Sequence, residues 1–217
     1  MGRTRRLRGG PPVDTDSTAP PAVRLREAVG EDSPFLVEML GAAANWSPER
    51  EQVSRVHLLA DRATARYVEG WPRTGDLGLI AETAQQEPVG AAWLRLFPAE
   101  DAGYGFVGPD VPELSLGVVP PWRGRGVGRA LLRGLRGLAR EAGHQELSLS
   151  VERANRAREL YLSEGFTTVR ADGDADTMAL SLHSDFQRPA RAPRAVRPTP
   201  ATQGGCGGPE TPRFRRR

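Results

Sequence analysis

Between Glu113 and Phe166 the chain switches period three times, and that switching narrows the choice of fold more than any other feature. Leu114, Leu116 and Val118 alternate with Glu113, Ser115 and Gly117, a strand pattern that Pro120 and Pro121 bring to a hard stop. The run Arg123-Gly124-Arg125-Gly126-Val127-Gly128 follows. Val127, Ala130, Leu131, Leu135, Leu138 and Ala142 then form one apolar stripe of a helix that ends at Gly143. Leu147, Leu149 and Val151 return to the two-residue period. Asn155 is placed to cap a helix running to about Glu164, which Gly165 ends. Strand, loop, helix, strand and helix in this order predict a central crossover in a mixed α/β domain.

The flanking elements are shorter. Val23 to Val29 reads as a strand, and Ser33-Pro34 is a cap and first-turn pair opening a helix with Phe35, Leu36, Met39 and Leu40. Ser47-Pro48 repeats that start signal, and Val53, Val56, Ala60, Ala63 and Tyr67 recur at the spacing of a single amphipathic helix. Leu77 to Glu82 and Val89 to Phe97 predict a hairpin, and Pro98 to Pro112 a loop. Phe166 to Arg170 and Thr177 to Leu182 are strand-like.

Composition divides the chain. All 30 basic residues are Arg; residues 1–22 and 184–217 together hold twelve of them against four acids, whereas 23–183 holds eighteen against 23 acids. The formal charge of +3 therefore combines an acidic middle with basic ends. Those ends are rich in Pro, Gly and Arg with little aliphatic periodicity, and are expected to be disordered, leaving one domain over 23–183. The lone Cys206 allows no internal disulfide, no apolar segment follows the N-terminal arginines, and no run approaches the roughly 18 apolar residues of a membrane helix. A cytoplasmic protein without membrane partners is expected.

Glycine-freed N–H groups at the positive end of a helix make the 123–128 loop a site for a phosphate anion, to which Arg123 and Arg125 could add charge-assisted hydrogen bonds. A Walker A loop is excluded, since the chain has no lysine. A dinucleotide fingerprint fits poorly, because the glycines stand at 124, 126 and 128 with Arg129 in the last slot. A plain glycine-rich connection with solvated arginines is the bland reading of the same residues.

Val118-Val119-Pro120 followed by Arg123-Gly124-x-Gly126-x-Gly128-x-Ala130-Leu131-Leu132 resembles the acetyl-CoA motif of the GNAT N-acetyltransferase superfamily, V-x-P-x-x-R-G-x-G-x-G/A. Leu160-Tyr161 and Gly165-Phe166 are similar to the family's N-x-x-A-x-x-x-Y-x-x-x-G-F segment, although the alanine falls one residue early counted from Asn155. The resemblance implies a mixed, mostly antiparallel central sheet flanked by helices, the GNAT acyl-CoA N-acyltransferase fold. It also implies acetyl-CoA as co-substrate, held against Val118 and Val119, with a main-chain N–H there, that of Val118, polarising the thioester carbonyl. The pyrophosphate would sit on Arg123, Gly124, Gly126, Val127 and Gly128, with Asn155 reaching the pantetheine or diphosphate; as a bare residue Asn155 is simply a good cap.

For the chemistry, Tyr161 is the candidate general acid toward the departing thiolate, with a core tyrosine as the alternative. Glu113 is the candidate base toward the amine, directly or through water, with a solvated strand-end carboxylate as the alternative and Glu82 as a weaker candidate. Asn45, Trp46, Tyr67, Trp71, Arg73 and Tyr104 are the polar and aromatic candidates for the acceptor site. His57, His144 and His183 are scattered, so no metal is suggested. The functional expectation is transfer of an acetyl group to an amine on a small molecule or protein. A non-catalytic acyl-CoA sensor is the alternative, and homodimer formation is left open. Nucleic-acid binding through the Arg-rich ends is not expected, since no aromatic platform accompanies them.

Overall fold

The computed structural model describes residues 23–183 of the 217-residue chain. The expected disordered ends, 1–22 and 184–217, lie outside the described residues. Strand β1 (Arg24–Glu27) leads to helix α1 (Ser33–Ala44), which has Pro34 in its first turn as predicted, although Asp32 rather than Ser33 holds the cap position. Short helices α2 (Arg55–Ala60) and α3 (Arg62–Ala65) precede the hairpin β2 (Leu77–Glu82) and β3 (Pro88–Arg95). Then follow β4 (Glu113–Val118), α4 (Val127–Glu141), β5 (Glu146–Glu152), α5 (Ala157–Ser163), β6 (Thr167–Asp172) and β7 (Ala175–Ser181).

The seven strands form one sheet in the order β1-β2-β3-β4-β5-β7-β6. Every neighbouring pair is antiparallel except β4 and β5, which the α4 crossover makes parallel. Strand alternation feeds two cores. Ile80, Ala91 and Trp93 face Leu36, Val37, Met39 and Leu40 of α1 together with Tyr67 and Trp71. Leu79, Ala92, Leu94, Leu114, Leu147 and Leu149 face Leu131, Leu132 and Leu135 of α4 and Tyr161 of α5. Helices thus cover both faces of the sheet. Among the described residues, no helix is long and apolar enough to cross a membrane.

Three local expectations are corrected. The single helix over Val53–Tyr67 is instead α2 and α3, broken at Asp61, whose extended backbone (ψ 115°) lets its carboxylate cap α3 at Ala63 N–H, 2.9 Å away. Its supposed apolar face is partly outside: Val56 is 75% exposed, and Leu58 is the buried residue of α2. Ser47-Pro48 opens no helix; Ser54 caps α2 through His57 N–H, and Asn45 clamps the preceding loop by bonding both N–H and C=O of Val53. In α4 the buried stripe runs through Leu132 and Ala139, while Ala142 is exposed beyond the helix end.

Behind this layer, Arg95 and Asp76 form a two-point ion pair with the two side chains 1% and 2% exposed. The same guanidinium bonds the carbonyls of Arg66 and Glu69, so one buried charge ties the turn after α3 to β3.

Candidate functional site

The sheet opens at its centre. Strands β4 and β5 pair at a single position, Glu113 opposite Ser148, with Ser148 N–H on Pro112 C=O at 3.1 Å. Beyond that they run on to Val118 and Glu152 with no further pairing, leaving a wedge whose closed end is at Glu113 and Ser148. Mid-strand Ser115 and Leu116 are half-buried in consequence.

Ladder alternation decides which main-chain groups line the wedge. Val119 N–H bonds Val89 C=O at 3.0 Å, while Val118 lies opposite Gly90, so the polar groups of Val118 point away from β3. Leu116, two residues earlier, shares that orientation. The N–H groups of Leu116 and Val118 therefore face the opening, whereas Val119, expected to share this role, is committed to β3.

The wedge leads to the start of α4. Gly124 and Gly126 have φ of +73° and +84°, a region that penalises side chains, and a Cβ on either would meet no atom within 4 Å. The first intrahelical bond is Ala130 N–H to Gly126 C=O at 3.0 Å. Three donors, on Val127, Gly128 and Arg129, thus have no partner within the helix, at the positive end of its dipole.

The two loop arginines part company. Arg125 stacks over Trp122, 5.5 Å from the ring centre, and makes no hydrogen bond among the described residues. Arg123, expected at the phosphate, turns inward: Nε donates to Val118 C=O at 3.0 Å and a terminal nitrogen to Ala42 C=O at 2.9 Å. It braces β4 against α1. An extended group carrying amides and ending in a diphosphate matches the open N–H edge of β4, the bare glycines and the free helix terminus.

Two carboxylate candidates have different surroundings. Glu82 is buried on β2 between Arg24 and Arg26, and the Arg26 hydrogen bond holds it below the ordinary carboxylate range, away from the wedge. Glu113 is neither solvated nor at an open strand end: it is 3% exposed. Its Oε1 accepts from Tyr67 Oη at 2.7 Å and Gly105 N–H at 2.8 Å, while Oε2 is buried without a partner among the described residues. Burial pushes its pKa up to about 6, against the lowering effect of the Tyr67 and Gly105 hydrogen bonds.

Tyr161 is 7% exposed, packs edge-on to Phe166 and has no hydrogen-bond partner for its hydroxyl among the described residues. Burial pushes it up to about 12. Its helix is fastened to α4 by Glu164, on which Arg129, Arg133 and Arg136 converge and which Arg133, and then Arg129, hold below the usual carboxylate range. Asn155 accepts from Ala157 N–H at 2.9 Å, capping α5 from two residues before its first turn. Its Oδ1 therefore serves the helix.

The acceptor candidates scatter. Trp71 is core, bonding Val29 C=O, and Arg73 is paired with Glu69. Tyr67 and Tyr104 stack beside Glu113, their rings 6.2 Å apart. Asn45 and Trp46 line a cavity of about 480 Å³ with Ala42, Gln52, Pro120 and Arg123, and Trp46 Nε1 is buried there without a partner among the described residues. Arg50 stacks on Trp46 and pairs with Glu152 at the end of β5, which carries this loop across the sheet to the second arm of the wedge. Sequence reasoning missed Ser148, whose hydroxyl is buried and unpartnered among the described residues; a serine in an alternating strand gave no sign of which face it takes. Among the described residues no group of three or more His, Cys, Asp or Glu could hold a metal ion.

The chain is similar to known proteins in both sequence and fold. The chain is 36% identical over 157 residues to a mycothiol acetyltransferase of Saccharomonospora viridis, covering 70% of this chain and 48% of that protein. It is 35% identical over 170 residues to the mycothiol acetyltransferase of Nocardiopsis dassonvillei, covering 77% and 48%. The chain thus spans about half the length of these relatives. The structure of yncA from Salmonella typhimurium, solved with its cofactor acetyl-CoA, shares the fold with a TM-score of 0.55 at 24% identity, covering 81% of this chain and 99% of that one. The model of the acetyltransferase (GNAT) family matches residues 38–166, more than half of the sequence, and the chain belongs to that family.

Proposed function

We propose that the chain is an acetyl-CoA-dependent N-acetyltransferase that passes the acetyl group directly to a primary amine, and that its catalytic unit occupies residues 23–183. The observation that carries this reading is the wedge between β4 and β5, edged by the free N–H groups of Leu116 and Val118 and ending at the open N-terminus of α4. Bound acetyl-CoA supplies an acyl group activated as a thioester. Val127, Gly128 and Arg129 N–H groups, with Arg125, hold the diphosphate, and Val118 N–H stabilises negative charge on the acyl oxygen, an effect worth a few kcal/mol for a well-aimed donor. Glu113 removes the proton from the acceptor's ammonium. The freed amine forms the C–N bond and the C–S bond breaks; Tyr161 gives its proton to the sulfur, and the second proton lost by the new amide nitrogen restores the phenol. Burial raises the phenol's pKa, so Tyr161 keeps its proton until the thiolate departs.

The relatives named as mycothiol acetyltransferases put a mycothiol-type acceptor among the amines to be tried first. The test follows free-thiol release from acetyl-CoA over such an acceptor, small amines, aminoglycosides and peptide N-termini. Release that requires one class of amine is expected. Tight acetyl-CoA binding with no release for any acceptor would point instead to a sensor.

A further inference from the structure

The polar side chains at the closed end of the wedge exceed what the mechanism has used. Glu113 and Ser148 are direct partners across β4 and β5, so their side chains share a face, and both are buried. Glu113 Oε2 and Ser148 Oγ each lack a hydrogen-bond partner among the described residues, although interior polar atoms are rarely left unsatisfied. Glu113 Oε1, in contrast, is fully engaged by Tyr67 and Gly105. Tyr67 is itself fixed, since its hydroxyl accepts from Tyr104 N–H at 2.7 Å and its only proton goes to Glu113. The glycines of the covering loop are required by contact: a Cβ at Gly103 would overlap Glu113 Oε2, and one at Gly105 would overlap the Leu149 backbone.

We propose that Tyr67 and Ser148 are positioning residues for Glu113. Tyr67 pins one carboxylate oxygen, and Ser148 Oγ, on the same face but not hydrogen-bonded to the other oxygen, completes a two-oxygen seat for the proton leaving the acceptor. The proposal rests on the reading of Glu113 as the base. In the step, the ammonium N–H bond breaks, its electron pair stays on nitrogen, and the proton ends on Oε2, with the hydroxyl dipole of the neighbouring Ser148 favouring the charged carboxylate before transfer. The other charged groups around the carboxylate are already occupied. Arg66 bonds Asp101 and Ala102 C=O, Arg95 bonds Asp76, and Arg170 of β6 bonds Thr177. Tyr104 and Asp61 lie beyond Tyr67. Tyr67 and Ser148 are therefore the side-chain donors left to set when Glu113 ionises.

The experiment uses the full chain and two readouts: the pH profile of kcat/KM, and direct titration of Glu113 by NMR of carboxyl-labelled protein. Tyr67→Phe removes a hydrogen bond to the charged form, so both the acidic limb and the NMR titration should move up by about one to two pH units. Ser148→Ala should move both in the same direction by a smaller amount, and Ser148→Thr should restore them. Thermal melts establish that each variant is folded, and the two sites give independent trials. An NMR titration unmoved in both Tyr67→Phe and Ser148→Ala overturns the positioning roles. An NMR titration that moves while the kinetic limb stays in place refutes Glu113 as the base, and the proposal falls with it.

Discussion

Replacing Glu113 by glutamine should make the protein more stable and less active at the same time, with a pH dependence that identifies the cause. Burial raises the Glu113 pKa from 4.5 to about 6, so the folded state holds this proton more tightly than the unfolded chain does. Folding is then fully favoured by this group below pH ~4.5 and progressively disfavoured as pH rises through about 6. A shift of that size corresponds to about 2 kcal/mol lost from the wild type by pH 7. Glutamine keeps a carbonyl oxygen for Tyr67 and Gly105, carries no charge, and offers an amide donor toward the unpartnered Ser148 hydroxyl. In paired thermal melts from pH 4 to 8, the variant should match the wild type near pH 4 and exceed it by roughly 4–8 °C at neutral pH. Turnover should fall by about 10²–10⁴-fold, the usual contribution of a positioned base. Because the other titrating groups are common to both proteins, they cancel in the difference. A difference in melting temperature that is flat between pH 4 and 7, or that grows toward acid, would refute the assignment of a desolvated, ionising carboxylate at this site.

Three further outcomes follow from the geometry. Tyr161→Phe removes only a hydroxyl with no protein partner among the described residues, so kcat should drop by ~10²–10⁴-fold while the KM for acetyl-CoA stays within a few-fold; unchanged turnover would assign the acid elsewhere. Gly126→Val places a β-branched residue at a φ of +84° in the proposed diphosphate cradle, and calorimetry should record acetyl-CoA affinity at least tenfold weaker; wild-type affinity would remove the loop from the cofactor site. Asp76→Ala strands the buried Arg95 guanidinium and should cost about 3–5 kcal/mol in denaturant unfolding, whereas an apolar pair at both positions should recover most of that loss.

Much of the scaffold was legible along the chain. The strand stopped by Pro120-Pro121, the glycine loop, α4 and the hairpin are each set by neighbours within a few residues: alternation, a proline that cannot continue a strand, a glycine free to take positive φ. The split of the 53–67 segment was not legible, because its apolar spacing suits one helix while a single capping aspartate, Asp61, ends α2 and begins α3. Periodicity counts faces and is blind to a side chain that competes for backbone N–H groups.

The site divides along the same line. The sequence by itself determined that a glycine-rich loop opens a helix after a strand, and that a tyrosine follows at the family's spacing from Gly165-Phe166. Only the tertiary structure decided what the charged residues do. Arg123 and Arg125 are two residues apart in one motif, yet Arg123 is drawn to Ala42, 81 residues away in sequence, while Arg125 stays at the loop. Glu113 reads as a strand-end carboxylate until Tyr67, 46 residues upstream, and the Gly105 amide close over it and Ser148 comes alongside from β5. Desolvation and hydrogen bonding at a carboxylate depend on whatever packs within a few ångströms, and those neighbours are assembled by sheet order and helix packing rather than by adjacency in the chain.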